Sequence, residues 1–132
     1  MIILDTHIWI WWVNGSPELT PELEVLLQTY QASGLGVCAI SVWEVAKLVE
    51  RGRLTLSVSI NDWIADALSY PGVQLIPLTP EIAIESTLLP QPFHRDPADQ
   101  LIVATSRVLE APLLTMDLAI RSYPNVAQVT HQ

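Results

Sequence analysis

The sequence has few basic residues, one cysteine and no long apolar run. Six lysines and arginines stand against 14 acidic residues, so the formal charge is −8, and such a surface repels nucleic acid unless metal ions or a basic partner change the local sign. Cys38 has no partner for an internal disulfide, which predicts a small buried thiol in a cytoplasmic protein. The first acid comes at position 5, and no stretch approaches the roughly 18 apolar residues of a membrane helix. The sequence therefore predicts neither a membrane span nor a secretory signal.

Short, continuously apolar segments predict buried strands. They lie at 2–5, 37–41, 73–78, 112–115 and 126–130. Because they are apolar throughout and are separated by helical patterns, they indicate a sheet that is covered on both faces. We expect an α/β fold, a three-layer α/β/α sandwich with a central, mostly parallel sheet of about five strands. No linker or internal repeat divides the chain, so residues 1–132 are predicted to form a single domain.

Helical periodicity is clear between these segments. Residues 21–31 place Leu23, Leu27 and Tyr30 on one face, and Thr20 is a suitable N-cap. Further helices are predicted at 42–51, at 60–69, after Thr79-Pro80 and at 97–109. In an open parallel sheet, reactive groups gather where each strand ends and the next helix begins, so the polar residues at these junctions are the candidate site.

Five of the 14 acids fall at such strand-to-helix junctions or in the first turn of a helix. They are Asp5, Glu44, Asp96, Asp99 and Asp117. Unpaired carboxylates about 4 to 6 Å apart repel one another, and a hard divalent cation such as Mg²⁺ relieves that repulsion through oxygen ligands. His7, His94 and His131 are isolated from one another and from Cys38, so the sequence shows no zinc-type cluster.

Each acid also has a purely structural interpretation. Ser41 and Glu44 have the spacing of a capping box, and Glu44 could instead pair with Lys47 one turn later. Asp96 stands before Pro97 and fits an N-cap. The remaining acids fit helix starts, with Asp5 as a cap for a helix near His7 and with Asp99 and Asp117 as first-turn residues.

Four segments, in order and at matching spacing, carry a family resemblance. They read ILDTHIWIWW, AISVWEVAKLVERGRL, PFHRDPADQLIVATS and LLTMDLAI, and they span Met1 to about Ile120. Together they resemble the PIN domain, and most closely the VapC-type toxins of toxin–antitoxin pairs. The resemblance implies a metal-dependent endoribonuclease with a three-layer α/β/α fold, which agrees with the fold expected from the strand and helix patterns.

The resemblance also assigns roles to individual residues. The catalytic acids of the family match Asp5, Glu44, Asp99 and Asp117. We therefore predict that Asp5 and Asp99 are the principal ligands of Mg²⁺, for which Mn²⁺ can substitute, that Asp117 is a further ligand or positions water, and that Glu44 orients the attacking water. The supporting residues match Thr6, Ser41, Asp96 and Thr115, with Asp96 ranked as a cap or an outer group. The family's ATA after the third acid is here ATS, ending in Ser106, away from the catalytic positions.

The resemblance implies two macromolecular partners, an RNA substrate and an inhibitory VapB-like antitoxin, and no membrane partner. Arg95 and Lys47 are candidates for RNA contact, and Lys47 belongs to a small basic cluster with Arg51 and Arg53. Among the five tryptophans, Trp11 or Trp12, together with helix 42–51, is a candidate antitoxin or homodimer contact, because not all of these rings fit one helical face.

Two other functions stay open at the level of sequence. The first is an inactive PIN-like module that binds RNA or protein. The second is phosphoryl transfer through an aspartyl-phosphate on Asp5. The enzymes that use that chemistry place a second acid two residues later, where this chain has His7. The RNA that would be cut is not defined by any of these residues.

Overall fold

A four-stranded parallel sheet forms the centre of the molecule, of which we describe residues 1–130 from a computed structural model. The strands are β1 Ile2–Leu4, β2 Leu35–Cys38, β3 Val73–Ile76 and β4 Leu113–Leu114, in the order β3-β2-β1-β4. The helices within these residues are α1 Thr6–Asn14, α2 Pro21–Gln31, α3 Ala39–Glu50, α4 Ile60–Leu68, α5 Pro80–Glu85, α6 Pro97–Leu109 and α7 Leu118–Arg121. His131 lies outside the described residues.

Both faces of the sheet are covered by helices, as the apolar strands predict. Neighbouring residues of a strand point to opposite faces. Ile2 and Leu4 of β1 belong to one hydrophobic core with Trp9 of α1, whereas Ile3 belongs to a second core with Ile102 of α6. The sheet therefore separates two cores, and the predicted three-layer α/β/α fold with a parallel sheet is confirmed.

The predicted fifth strand at 126–130 is reduced to an isolated parallel bridge. Leu113 donates its N–H to the carbonyl of Ala127 at 2.9 Å, and Val129 donates to the carbonyl of Leu113 at 2.9 Å. Because β4 has only two residues, Leu113 forms a single bridge with Gln128, and no continuous ladder of hydrogen bonds is formed. The sheet consequently has four strands, close to the roughly five expected.

The boundary between β2 and α3 differs from the prediction. The strand ends at Cys38 and the helix begins at Ala39, whereas the sequence suggested a strand to residue 41 and a helix from 42. Cys38 occupies the N-cap position and its side chain makes no capping bond. Ser41 is therefore inside the first turn, and the capping box with Glu44 is wrong. Lys47 pairs with Glu50 at 2.9 Å rather than with Glu44.

Because the sheet is parallel, the carboxyl ends of its strands lie along one edge. β1 leads into α1, β2 into α3, and β4 into the short helix α7. This arrangement brings Asp5 and the first turns of α3 and α7 to the same edge, where the amino end of α6 joins them. In residues 1–130 no helix is both long and apolar enough to cross a membrane.

Candidate active site

Asp5 lies directly after β1 and is buried, with 3% of its surface exposed. It is the N-cap of α1, and its Oδ1 accepts a hydrogen bond from the N–H of Thr6 at 2.8 Å. Its Oδ2 accepts from the Thr115 hydroxyl at 2.6 Å. The carboxylate is thus a helix cap and also a fixed acid at the edge of the sheet, so the structural interpretation and the site interpretation are compatible.

Glu44 reaches the same edge from the first half of α3. The Thr6 hydroxyl donates to Glu44 Oε1 at 2.5 Å, and its oxygen lies 2.8 Å from the hydroxyl of Ser41. Burial raises the pKa of Glu44 to about 7; the Thr6 hydrogen bond opposes this shift, and the charges of Asp5, Asp99 and Asp96 add to it. Thr6 therefore contacts both Glu44 and Ser41 and fixes the position of the Glu44 carboxylate.

Asp99 lies in the first turn of α6 and is held from two sides. Its N–H donates to Asp96 Oδ1 at 3.0 Å, which makes Asp96 the N-cap of the helix, as the sequence predicted. Its Oδ2 lies 2.7 Å from His94 Nε2. The pKa of Asp99 is raised to about 6 by burial and next by the charge of Asp5, while the His94 contact lowers it. Asp96 itself is exposed.

Asp117 is the N-cap of α7. Its Oδ1 accepts from the N–H groups of Ala119 and Ile120 at 2.9 and 3.2 Å, and its own N–H donates to the Thr115 hydroxyl at 3.0 Å. Thr115 in turn donates to Asp5. This one buried hydroxyl therefore links the first and the last of the predicted acids.

Two histidines contact the acids, and sequence reasoning gave neither of them this role. The ring of His94 stacks on Phe93, with centroids 4.4 Å apart, and faces Asp99. His7 Nε2 accepts from the N–H of Met116 at 3.1 Å, and its Nδ1 lies 3.5 Å from Asp5 Oδ2. His7 joins the two turns that follow β1 and β4, a packing role consistent with its position at the rim. The five-residue separation of His94 and Asp99 crosses an irregular loop, so no periodic signal marks the pair.

The four predicted acids form one electrostatic group. Asp5 and Asp99 raise the pKa of Glu44, and Asp5 and Asp117 raise that of Asp99. Within residues 1–130 no group of three or more His, Cys, Asp or Glu side chains is placed so that together they could hold a metal ion. Mg²⁺ takes only one or two carboxylates and retains several waters, so an open, all-oxygen set of mutually repelling acids fits this ion.

The remaining predicted contacts divide into two groups. Arg95 is exposed in the loop before α6, and Lys47 lines a cavity beside Glu44. Trp11 packs against His7, and Trp12 packs edge-on against Tyr70, so both rings are half-buried. The exposed tryptophan is Trp43 on α3, 51% accessible, which the sequence did not single out.

Comparison with known proteins agrees with this geometry. The sequence model of the PIN domain matches residues 2–126, so the chain belongs to the PIN-domain family. Within that family it is a VapC-type protein: it is 32% identical over 129 residues to Ribonuclease VapC22 of Mycobacterium tuberculosis (strain ATCC 25618 / H37Rv), with 98% of this chain and 96% of that protein covered.

Solved structures share the fold at low sequence identity. A chain of VapBC2 from Rickettsia felis, crystallised with a DNA fragment from its promoter, superposes with a TM-score of 0.75 at 16% identity, with both chains covered completely. Mycobacterium tuberculosis VapC20, described as a sarcin-ricin loop cleaving toxin, superposes with a TM-score of 0.66 at 14% identity, covering 96% of this chain and 99% of that chain. The resemblance read from the four sequence segments is confirmed.

Proposed function

We propose that this protein is a Mg²⁺-dependent endoribonuclease toxin that hydrolyses RNA phosphodiester bonds and leaves 5′-phosphate and 3′-hydroxyl ends. The observation that carries the proposal is the group of four acids at one edge of the sheet, with the pKa values of Glu44 and Asp99 raised to about 7 and 6. The names of the related proteins, a ribonuclease and a loop-cleaving toxin, support it.

In this proposal Asp5 and Asp99 would be the principal ligands of the ion, and Asp117 would either be a further ligand or position a water. When bound, Mg²⁺ or Mn²⁺ neutralises charge on the phosphate and makes water acidic enough to react at neutral pH. Asp5 suits a ligand role because two hydrogen bonds fix its carboxylate while each oxygen keeps a lone pair. Asp117 keeps Oδ2 available, because its cap contacts use Oδ1.

Glu44 is the residue that we assign to the attacking water. Thr6 holds its Oε1, which leaves Oε2 to orient the water and to accept its proton. A pKa of about 7 in the metal-free chain suits a general base near neutral pH. Part of that shift comes from the neighbouring carboxylates, so a bound cation lowers it and favours the ionised, proton-accepting form.

The same negative charges support the proposal that a cognate antitoxin inhibits this protein. The chain carries a formal charge of −8, and its acidic group would attract a basic side chain of a partner. Solved structures that share the fold include a toxin-antitoxin complex from Klebsiella pneumoniae. Trp11 and Trp12, being half-buried, offer only their outer edges to a partner, so their proposed contact with an antitoxin or a second copy is secondary to the acidic site.

Neither alternative has comparable support. Asp5 is 3% exposed and both of its oxygens accept hydrogen bonds, which disfavours it as a nucleophile for an aspartyl-phosphate. An inactive binding module would not require four neighbouring acids, whose mutual repulsion helps to raise the pKa values of Glu44 and Asp99.

The test is cleavage of a defined RNA by the purified chain in Mg²⁺, in Mn²⁺ and in excess EDTA, with mapping of the new 5′ ends. We expect cleavage with either metal, none in EDTA, and 5′-phosphate ends that a 5′-phosphate-dependent exonuclease degrades. The Asp5→Asn protein, purified in parallel, controls for contaminating nuclease. Equal cleavage by both proteins, or cleavage that survives EDTA, would contradict the proposal.

A further inference from the structure

A cavity of about 280 Å³ adjoins the acidic site, near the lower end of the size range of small-molecule sites. Its walls come from α3, from the segment just after it and from the start of α6. The polar and aromatic residues that line it are Trp43, Glu44, Lys47, Arg51, Arg53 and Asp96. Glu44 belongs to the proposed active site, so anything in the cavity lies directly beside that site.

The cavity concentrates the positive charge of the chain. It contains Lys47, Arg51 and Arg53, three of only six lysines and arginines in the sequence. Elsewhere, Arg107 is engaged in structural contacts, with its Nε 3.1 Å from Glu85 Oε2 and its Nη1 donating to the carbonyl of Asn125 at 2.6 Å. A chain with a formal charge of −8 thus presents a local basic surface next to its acidic one.

The spacing along α3 produces this surface. Trp43, Lys47 and Arg51 follow one another at intervals of four residues, so they lie on one stripe of the helix and its C-cap. Lys47 Nζ lies 6.0 Å from the centre of the Trp43 ring, at the outer limit of a cation–π contact. Its ion pair with Glu50 is solvent-exposed, and such pairs contribute little, so Lys47 can exchange Glu50 for a phosphate.

Trp43 supplies the surface on which a base can stack. Its side chain is 51% exposed, whereas Trp9 and Trp63 are 0% and 4% exposed. A half-exposed indole next to cations is the combination that single-stranded nucleic-acid sites use, with bases stacked on aromatic rings and phosphates held by basic residues.

We infer that this cavity binds one nucleotide of a single-stranded RNA substrate, with its base stacked on Trp43 and its phosphate held by Lys47, Arg51 and Arg53. The choice of RNA as the ligand rests on the proposed function. Glu44 of α3 and Asp96 before α6 also line the cavity and repel phosphate, so the cavity orients the strand and directs it past Glu44 toward Asp5. The three positive charges would repel a basic segment of an inhibitory protein, so such a segment is a poorer occupant of the cavity than RNA.

The test measures RNA binding in the Asp5→Asn background without divalent metal, so that cleavage cannot interfere. The probe is a fluorescein-labelled single-stranded RNA of about ten nucleotides containing all four bases, followed by anisotropy. We expect Trp43→Ala to weaken binding about tenfold and Trp43→Phe, which keeps a stacking ring, to weaken it less than about threefold. Val25→Ala on α2 removes an exposed apolar side chain outside the cavity and is the matched control.

The salt dependence of RNA binding distinguishes the contribution of base stacking from that of the charged residues. Changing Lys47, Arg51 and Arg53 together to glutamine is expected to reduce the slope of log Kd against log salt by about 0.7, because neutralising one phosphate of a single strand contributes about that amount. Trp43→Ala is expected to leave that slope unchanged. Thermal unfolding of each variant verifies that it is folded.

The outcomes separate the cavity from the catalytic proposal. Unchanged RNA affinity in Trp43→Ala, or no measurable RNA binding by the Asp5→Asn protein, overturns the cavity assignment even when the wild type cleaves RNA. Loss of antitoxin affinity in Trp43→Ala with unchanged RNA affinity identifies a protein segment as the occupant, and also overturns it. A wild type that binds RNA through Trp43 without cutting it contradicts only the nuclease proposal.

Discussion

The turns at Asp5 and at Asp96 start two helices in the same way but in different surroundings. Each aspartate is an N-cap whose Oδ1 accepts a backbone N–H, that of Thr6 for Asp5 and that of Asp99 for Asp96. Asp5 follows a buried strand, is 3% exposed and has its second oxygen fixed by Thr115. Asp96 follows an irregular loop and is exposed.

This comparison shows that capping and site formation are not alternatives. What distinguishes the two aspartates is the element before each one, because β1 is paired with β2 and β4 and Asp5, directly after it, donates its N–H to the carbonyl of Leu114 at 3.0 Å. Asp96 contributes indirectly, since its cap orients Asp99. If this reasoning is correct, the same substitution at the two positions will have very different effects.

The largest expected difference is between Asp5→Asn and Asp96→Asn. Asparagine caps helices about as well as aspartate, so both proteins should fold. Loss of the Asp5 charge should reduce Mg²⁺-dependent RNA cleavage by about 1000-fold or more, whereas loss of the Asp96 charge should change it less than about fivefold. Initial cleavage rates and melting temperatures of the two variants measure this. A loss of cleavage in Asp96→Asn as large as that in Asp5→Asn would show that Asp96 takes part in the reaction.

A smaller effect is expected from the hydroxyl that joins the Asp5 turn to α3. Thr6→Val keeps the side-chain shape but removes the donor to Glu44, so the pKa of Glu44 should rise further. We expect cleavage at neutral pH to fall about tenfold, with the acid limb of the pH–rate profile displaced to higher pH. Thr105→Val is the control, because that buried hydroxyl donates to the backbone of its own helix. An unmoved pH profile would argue against Glu44 as the base.

The acids should also make stability depend on pH. The folded chain raises the pKa of Glu44 from 4.5 to about 7 and that of Asp99 from 3.8 to about 6, so between about pH 4 and 7 it binds protons more tightly than the unfolded chain. Stability therefore falls as the pH rises through this window, by about 2 kcal/mol after allowance for solvent screening.

Thermal unfolding without divalent metal at pH 5 and pH 8 measures this change. The Tm should be about 5 to 8 °C lower at the higher pH. The double variant Glu44→Gln, Asp99→Asn should remove most of the difference, and Mg²⁺ should recover part of the wild-type loss at pH 8. A wild-type Tm that does not change between these pH values would contradict the electrostatic account of the site.

The smallest effect is expected from Asp96→Ala. Removing the cap of α6 should destabilise the fold by about 1 kcal/mol, while Asp96→Asn should be close to neutral. Cleavage should stay within a fewfold of the wild type, because His94 still contacts Asp99. Urea unfolding of the two variants, compared with their cleavage rates, tests whether Asp96 acts only through the helix start.

The sequence was sufficient for the fold class and for the edge on which the acids lie, because apolar strands and helical periodicity report burial directly. It was insufficient at the start of α3, where Cys38, Ala39 and Ile40 are apolar and no polar cap marks the helix. A short apolar run reads equally well as a strand end or as a buried helical turn. Because the helix was predicted to begin at residue 42, Ser41 was placed at the N-cap and was wrongly paired with Glu44 in a capping box.

The contacts of His94 and the exposure of Trp43 depend on tertiary structure. His94 meets Asp99 through an irregular loop, which leaves no periodic trace. On α3 the fully buried side chains are those of Val45, which is apolar, and Ser41, which is polar. Since the buried face also contains that serine, apolar periodicity alone could not show that Trp43 faces outward.

The parallel pairing of β1 with β4 has a consequence for the order of synthesis. Asp5 is made before the threonine that fixes it, which comes 110 positions later, and Asp117 follows two residues after that. A growing chain on the ribosome therefore holds an incomplete set of acids until nearly all of the sheet has been translated. A chain that ends before Thr115 therefore carries Asp5 without the hydroxyl that fixes its carboxylate.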